Sequence, residues 1–465
     1  MNFDENDLLD FLCAKNYEYY EKHYKYDHVE RKHTSFYNNG NICYCNASLQ
    51  LLLSIKPLCI YILKKYNKIY YKTKSKYKGD ILKAVFDLVQ ETYRSENNFL
   101  CTNKHINILK KIKVYNGNIV INAQNDAHEF LLLLFNYINV ECNRFLNIPD
   151  NFDVKLNDKD NKEKAGDKYW IKYLFKDNSI ITDLLGFQNI SSITCINCGN
   201  TRYSFEFCID LGLEFENENM KSTTLMELLK NNIMKNDDFC FLDCNICKLK
   251  KTSRIKKGIY RMPNLYMIIY IKRFKWIYGC TNYYNNNNVK KIDTIVLLPL
   301  DGLIDFTSFA HMSNHESLYN SKYIIESIIC HSGNSYSGHY TAIVKFSDGF
   351  YKCNDDKIKK LANPMYLPCG MNIPWGEKMA NTLKGRRMFP FENAENYLVM
   401  ANTLKGRRMF PFENAQNYLV MANTLKGRRM FPFENAQNYL VMAITLKGRR
   451  MFPFENVENH LVKRG

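Results

Sequence analysis

Asn38-Asn39-Gly40-Asn41-Ile42-Cys43-Tyr44-Cys45-Asn46, continuing as Ala47-Ser48-Leu49-Gln50-Leu51-Leu52-Leu53, is a polar, glycine-containing loop that runs straight into an apolar helix. A cysteine at that junction lies at a helix N-terminus, where unpaired amide N–H groups and the helix dipole favour a thiolate. The thiolate is the nucleophilic form of sulfur. The loop before it can also aim backbone amides and the Asn38 carboxamide at one point, as stabilisation of an oxyanion requires. A buried structural cysteine fits the same local pattern equally well. The choice turns on whether the chain supplies a base.

One candidate lies nearly three hundred residues downstream, in His331-Ser332-Gly333-Asn334-Ser335-Tyr336-Ser337-Gly338-His339-Tyr340-Thr341-Ala342-Ile343-Val344. Glycines flank a loop, and His339 then opens an alternating strand, which places an imidazole at the end of a rigid element. Phe350-Tyr351-Lys352-Cys353-Asn354-Asp355-Asp356 follows a turn at Asp348-Gly349, so the two segments predict a hairpin. Its register can bring Asn354 or Asp355 beside His339 to fix the ring's tautomer. Taken singly, a surface histidine and an Asn-Asp turn account for these residues as well.

Composition narrows the class. The 465 residues are 46 % hydrophobic and 24 % charged, values of a globular chain. The formal net charge of +17 accompanies Lys, Asn, Tyr and Ile enriched throughout, so it reads as compositional drift rather than as a nucleic-acid surface. The start, Met1-Asn2-Phe3-Asp4-Glu5, is acidic where a secretory signal is basic. The apolar runs 51–53 and 131–135 fall far short of the ~20 residues that span a bilayer. A reducing location, cytoplasmic and/or nuclear, with no membrane partner is therefore expected. The sixteen cysteines then read as thiols, metal ligands or a nucleophile.

Helix-spaced apolar segments at 46–63, 79–94 and 126–147 precede alternating ones at 202–215, 258–273, 323–330 and 340–352. Helices first and strands later predict an α+β fold. Residues 1–34 form a polar lead-in, 35–365 the globular domain, and 366–465 a tail. Asn285-Asn286-Asn287-Asn288 reads as a loop insertion. The tail holds four near-identical 21-residue repeats over 379–462, carrying twelve Lys/Arg against six Glu. Solenoid repeats normally diverge, whereas these hardly differ, so a recent duplication forming a weakly structured extension is expected.

The segment around Cys43 resembles the cysteine box of the ubiquitin-specific proteases, and SGHYTAIV with FYKCNDD resembles their histidine box. Gln124-Asn125-Asp126-Ala127-His128-Glu129 and the stretch Leu265–Phe274, ending Lys-Arg-Phe, match two further family blocks in order. The resemblance implies a papain-like cysteine peptidase fold with thumb, palm and zinc-braced β fingers. It implies a thiol-dependent deubiquitinase acting on ubiquitin and ubiquitinated proteins. Cys43 would be the nucleophile, His339 the base and then the acid. Asn354 would orient the ring with support from Asp355, and Asn38 would serve the oxyanion hole. Asp126 and Glu129 would hold the arginines of ubiquitin's tail, although Asp-x-x-Glu before an apolar run is also a helix-capping pattern. The departures at Ile42, Cys45, Asn125, Phe350 and Cys353 leave a catalytically inactive ubiquitin-binding scaffold as the alternative.

Cys195-Ile196-Asn197-Cys198 and Cys244-Asn245-Ile246-Cys247 are two CxxC pairs. Each can point two thiolates at one ion, so together they predict a single structural zinc held by all four cysteines. A lone pair would suggest a redox motif instead. A basic zinc-dependent nucleic-acid binder is the remaining rival, and nucleic acid is not expected as a partner.

Overall fold

Ten of the twelve residues of the helix Cys43–Ser54 are buried, as befits a helix apolar on nearly every side. The computed structural model describes residues 30–361 apart from 72–74, 97, 102, 118, 120–122, 145–160, 235, 245, 249, 277–288, 300, 310–320 and 336, and the strand backbones of the tail between 376 and 464. Residues 1–29 of the lead-in and the Asn285–Asn288 run lie outside the described residues. The described chain forms two compact units, Met1–Gly370 and Met371–Gly465.

In the first unit, the helices Lys56–Tyr70, Asp80–Arg94, Lys104–Tyr115, Ala127–Glu141 and Ile180–Leu185 gather with the Cys43 helix around one core. Their apolar spacing explains it: Ile81, Leu82, Val85, Leu88 and Val89 lie on one face of Asp80–Arg94, and all are buried. The β half carries an antiparallel sheet of Ser327–Gly333, Gly338–Phe346, Gly349–Asn354 and Lys357–Leu361, in that order. The Cys43 helix packs between the halves, with Ala47 against Ala342, Val344 and Cys353 of the sheet. Ser48 Oγ reaches Ala127 O at 2.9 Å. The β half thus meets the helical half along the element that begins with Cys43.

A second antiparallel sheet runs Thr201–Cys208, Phe187–Cys195, Lys250–Arg261, Asn236–Asp243. The helix Lys162–Lys176 supports it, stacking Tyr173 on Phe207 with ring centroids 3.3 Å apart. A Cβ at Gly166 would lie 2.4 Å from the Tyr260 ring, which explains a glycine inside a helix. The expected strand 258–273 is two strands, because Pro263 has no N–H to donate and restricts Met262. The chain leaves the sheet at Arg261, and the amide of Tyr266 turns to Leu184 O at 3.1 Å before pairing resumes at Ile268–Ile271. In the tail, the long strands pair in parallel with every partner offset by 21 residues, as Leu404 with Leu425 and Leu425 with Leu446. Strand pairing therefore stands where the sequence suggests a weakly structured extension. Equal repeat lengths permit it by holding register from unit to unit.

Glu141, 1 % exposed, takes the amide of Leu82 at 2.6 Å, in the first turn of Asp80–Arg94. Burial pushes its carboxyl from an ordinary 4.5 up to about 7, despite the amides that favour the anion. With the folded value above the unfolded one, this residue's contribution to stability is complete below pH 4.5 and declines as the pH rises through 7. Glu141→Gln is expected to flatten that dependence in denaturant melts and to be more stable than the parent at pH 8, by about 1–3 kcal/mol. An unchanged pH slope would overturn the assignment.

Candidate active site

Cys43 is the first residue of its helix and is 5 % exposed. Burial pushes its thiol pKa up, and the Asp355 carboxylate adds to that. The backbone of Tyr340, the residue after His339, hydrogen-bonds the sulfur and draws the value back. Helix-end stabilisation, as read from sequence, is therefore outweighed by desolvation in the free protein. Cys45 is fully buried and its thiol is driven up further, which leaves Cys43 as the accessible sulfur of the two.

The hairpin forms in the expected place, with Ala342 opposite Cys353. His339 Nε2 lies 2.6 Å from Asn354 Oδ1 and 3.8 Å from Asp355 Oδ2. An amide oxygen only accepts, so Nε2 carries the hydrogen and Nδ1 keeps its lone pair. Asn354 is thus the direct partner of the ring. Asp355 sits at φ +51°, in a turn that Phe36 N ties down through Asp355 O at 2.9 Å. Its carboxylate accepts Asn38 Nδ2 and Asn46 Nδ2, each at 2.8 Å. Asn38 Oδ1 in turn accepts Gly40 N at 2.9 Å and Ile42 N at 3.4 Å. The Asn38 carboxamide is thereby fixed at both ends beside the Cys43 helix, and its nitrogen carries a second hydrogen.

Cys43, His339, Asn354, Asp355 and Asn38 therefore come together from three distant segments. Asn46 belongs with them, a residue to which the sequence reading gives no role. Its spacing of three from Cys43, which places both on one helix face, is the signal that points to it. Gln124 is a second addition: Oε1 accepts Gly338 N at 3.2 Å and Nε2 donates to Gly338 O at 3.4 Å.

Asp126 caps the helix Ala127–Glu141, accepting the amides of His128 at 2.7 Å and Glu129 at 3.2 Å. The capping reading thus holds for Asp126, while Glu129 is exposed. Both carboxylates, with Asp210, raise the phenol pKa of Tyr270, which burial lifts to about 12. Asp126 and Cys43 both act on the Tyr340 phenol. The acidic helix start and the thiol therefore share a neighbour.

Cys195, Cys198, Cys244 and Cys247 stand at the tips of two hairpins of the second sheet, their sulfurs all within 4.8 Å of one another. Cys195 N donates to Asn200 O at 2.9 Å, and Gly199 N and Lys248 N close matching turns on Cys195 O and Cys244 O at 2.9 Å each. Gly199 and Lys248 hold φ of +70° and +58°, so the two knuckles repeat one backbone form. Amides of Cys247 and Ile246 pull the Cys244 thiol down to about 6. Four thiols converging in this way can bind a metal ion.

A helical half and a β half meeting at the Cys43 helix, with the His339–Asn354 pair on the facing sheet, define a papain-like fold. Residues 34–386 match the family described as ubiquitin carboxyl-terminal hydrolase. The chain belongs to that family. Among curated relatives, bovine ubiquitin carboxyl-terminal hydrolase 2 is 26 % identical over 332 residues, covering 70 % of this chain and 52 % of the relative. Human ubiquitin carboxyl-terminal hydrolase 3 is 24 % identical over 357 residues, covering 70 % and 64 %. The chain thus spans about half the length of the first of these relatives. In fold it is similar to a SAGA DUB module, Ubp8/Sgf11/Sus1/Sgf73, bound to ubiquitin aldehyde, with a TM-score of 0.54 and 20 % identity over 76 % of this chain and 71 % of that one. The same module bound to monoubiquitin gives a TM-score of 0.53 at 19 % identity, again over 76 % and 71 %.

Proposed function

We propose that this chain is a thiol-dependent deubiquitinase that hydrolyses the bond after the C-terminal glycine of ubiquitin. The observation that carries the reading is the Asn354–His339 hydrogen bond, joined through Asp355 to Asn38 and Asn46 on either side of Cys43. In this reading Nδ1 of His339 takes the Cys43 proton and the sulfur attacks the glycine carbonyl. The tetrahedral oxyanion meets the free hydrogen of Asn38 Nδ2 and the unpaired amides of the helix start. His339 then protonates the leaving amine, and water, activated by the same ring, releases ubiquitin from the thioester. Asp126 and Glu129 would pair with basic residues of ubiquitin's tail. Incubation with ubiquitin carrying a C-terminal vinyl electrophile tests the proposal: one ubiquitin mass should add to Cys43. Tight ubiquitin binding with no adduct would establish the inactive scaffold instead.

The metal at the four cysteines is proposed to be zinc, since a tetrahedral all-thiolate set with no open position suits a structural zinc. Those residues would brace the finger strands against the body of ubiquitin. Chelation is expected to release one zinc per chain and to raise KM for a ubiquitin substrate severalfold while kcat changes less. An apo protein, verified by elemental analysis, with unaltered KM would refute the bracing role. Among the described residues, twelve cysteines stand outside any disulfide, in keeping with a proposed reducing location in cytoplasm or nucleus.

A further inference from the structure

Lys291 keeps only 5 % of its side chain exposed. Taking an ammonium out of water is unfavourable, and a methionine would fill similar volume without that cost. The contacts of the ammonium supply a reason for it. Nζ donates to Gly333 O at 2.7 Å and to His331 O at 3.3 Å, with the largely exposed Asp293 carboxylate 3.7 Å away. The strand Ser327–Gly333 is the edge of its sheet, pairing with Gly338–Phe346 on one side. Carbonyls two residues apart on a strand point the same way, so Lys291 occupies the place of a missing neighbour strand. Two residues before it, Val289 O accepts Ser335 Oγ at 2.7 Å. The loop that leads to His339 is therefore docked on the strand Val289–Lys291.

The other end of that loop is held as well. Gly333 and Gly338 are Cα partners that close the hairpin, and Gln124 binds both backbone polar groups of Gly338. A Cβ on Gly338 would come within 2.0 Å of His331 Nε2, so the closure is tight at the residue immediately before His339. Displacement at Lys291 would pass through this closed hairpin to the imidazole.

We infer that Lys291 is a positioning residue for His339, fixing the incoming strand of the histidine hairpin while Gln124 fixes the outgoing one. The inference rests on the thiol-hydrolase reading above and adds a residue that acts through His339 without touching substrate. Three variants, Lys291→Met, Lys291→Arg and Ser335→Ala, test it with two measurements. One is turnover of a fluorogenic ubiquitin amide; the other is the pH profile of Cys43 alkylation by chloroacetamide, followed by peptide mass analysis without ubiquitin. Lys291→Met is expected to lower kcat roughly ten- to a hundredfold with KM nearly unchanged. It should also slow the alkylation of Cys43 that a correctly placed imidazole assists near neutral pH. Lys291→Arg, which keeps two donors for the two carbonyls, should recover most of both signals, and Ser335→Ala should lose kcat severalfold. Parental kcat and alkylation profile in folded Lys291→Met would overturn the inference, as would a loss confined to KM. If Lys291→Met does not fold, Ser335→Ala decides: an unchanged profile and kcat there count against it. If the parent protein shows imidazole-assisted alkylation of Cys43 yet turns over no ubiquitin, the substrate assignment fails and the alkylation comparison still decides the role of Lys291.

Discussion

Cys43→Ala is expected to lower ubiquitin-amide turnover by roughly five orders of magnitude and to abolish the adduct with a ubiquitin electrophile. The size follows from covalent catalysis, since removing the sulfur leaves only the oxyanion donors and binding to act on solvent attack. The informative control is its neighbour. Cys45 has no exposed surface, and burial raises its thiol well above the ordinary range. Cys45→Ala should retain kcat and lose about 1–2 kcal/mol of stability from the vacated volume. Labelling at Cys45 in Cys43→Ala, with turnover preserved, would assign the chemistry to the wrong sulfur here and dismantle the site as described.

The parts of this site legible in the sequence are those fixed by short-range geometry. A glycine-containing loop entering an apolar run specifies a helix start, and Cys43 is the first residue of that helix. Alternation around Asp348-Gly349 specifies the hairpin that carries His339 to Asn354. The CxxC pairs are readable because each pair makes its own turn, although the long intervening chain, 199–243, gives no hint of how closely the tips approach. What escapes such reading depends on contacts between distant segments. The helix Lys104–Tyr115 mixes four lysines with three Ile and one Val, residues of weaker helix propensity, and it is held by burying Ile108, Leu109 and Ile112. Lys291 sits in a run of charged residues, and only the edge of a sheet some forty residues later gives its ammonium a task. The Cys43 thiol departs from its sequence expectation for a related reason. A helix N-terminus is visible locally, whereas the desolvation that outweighs it comes from the rest of the fold.

The second large effect is expected at Asp355, and its route differs from that of Asn354. Asn354 touches the ring directly, so Asn354→Ala should disturb the tautomer and orientation of His339. Asp355 stands farther from the ring and instead grips Asn38 and Asn46. Its removal releases the carboxamide proposed to meet the oxyanion, so Asp355→Ala should cost about a hundred- to a thousandfold in kcat, the usual loss for an oxyanion donor. Because both changes disable the same donor, Asn38→Ala combined with Asp355→Ala should lose little more than either alone, whereas independent roles would multiply. Asp355→Asn keeps an acceptor oxygen but can satisfy only one of the two asparagine donors well, which predicts an intermediate rate. A fully multiplicative double variant would show that Asp355 acts mainly on His339 across 3.8 Å, and the division of labour between the adjacent Asn and Asp would have to be reversed.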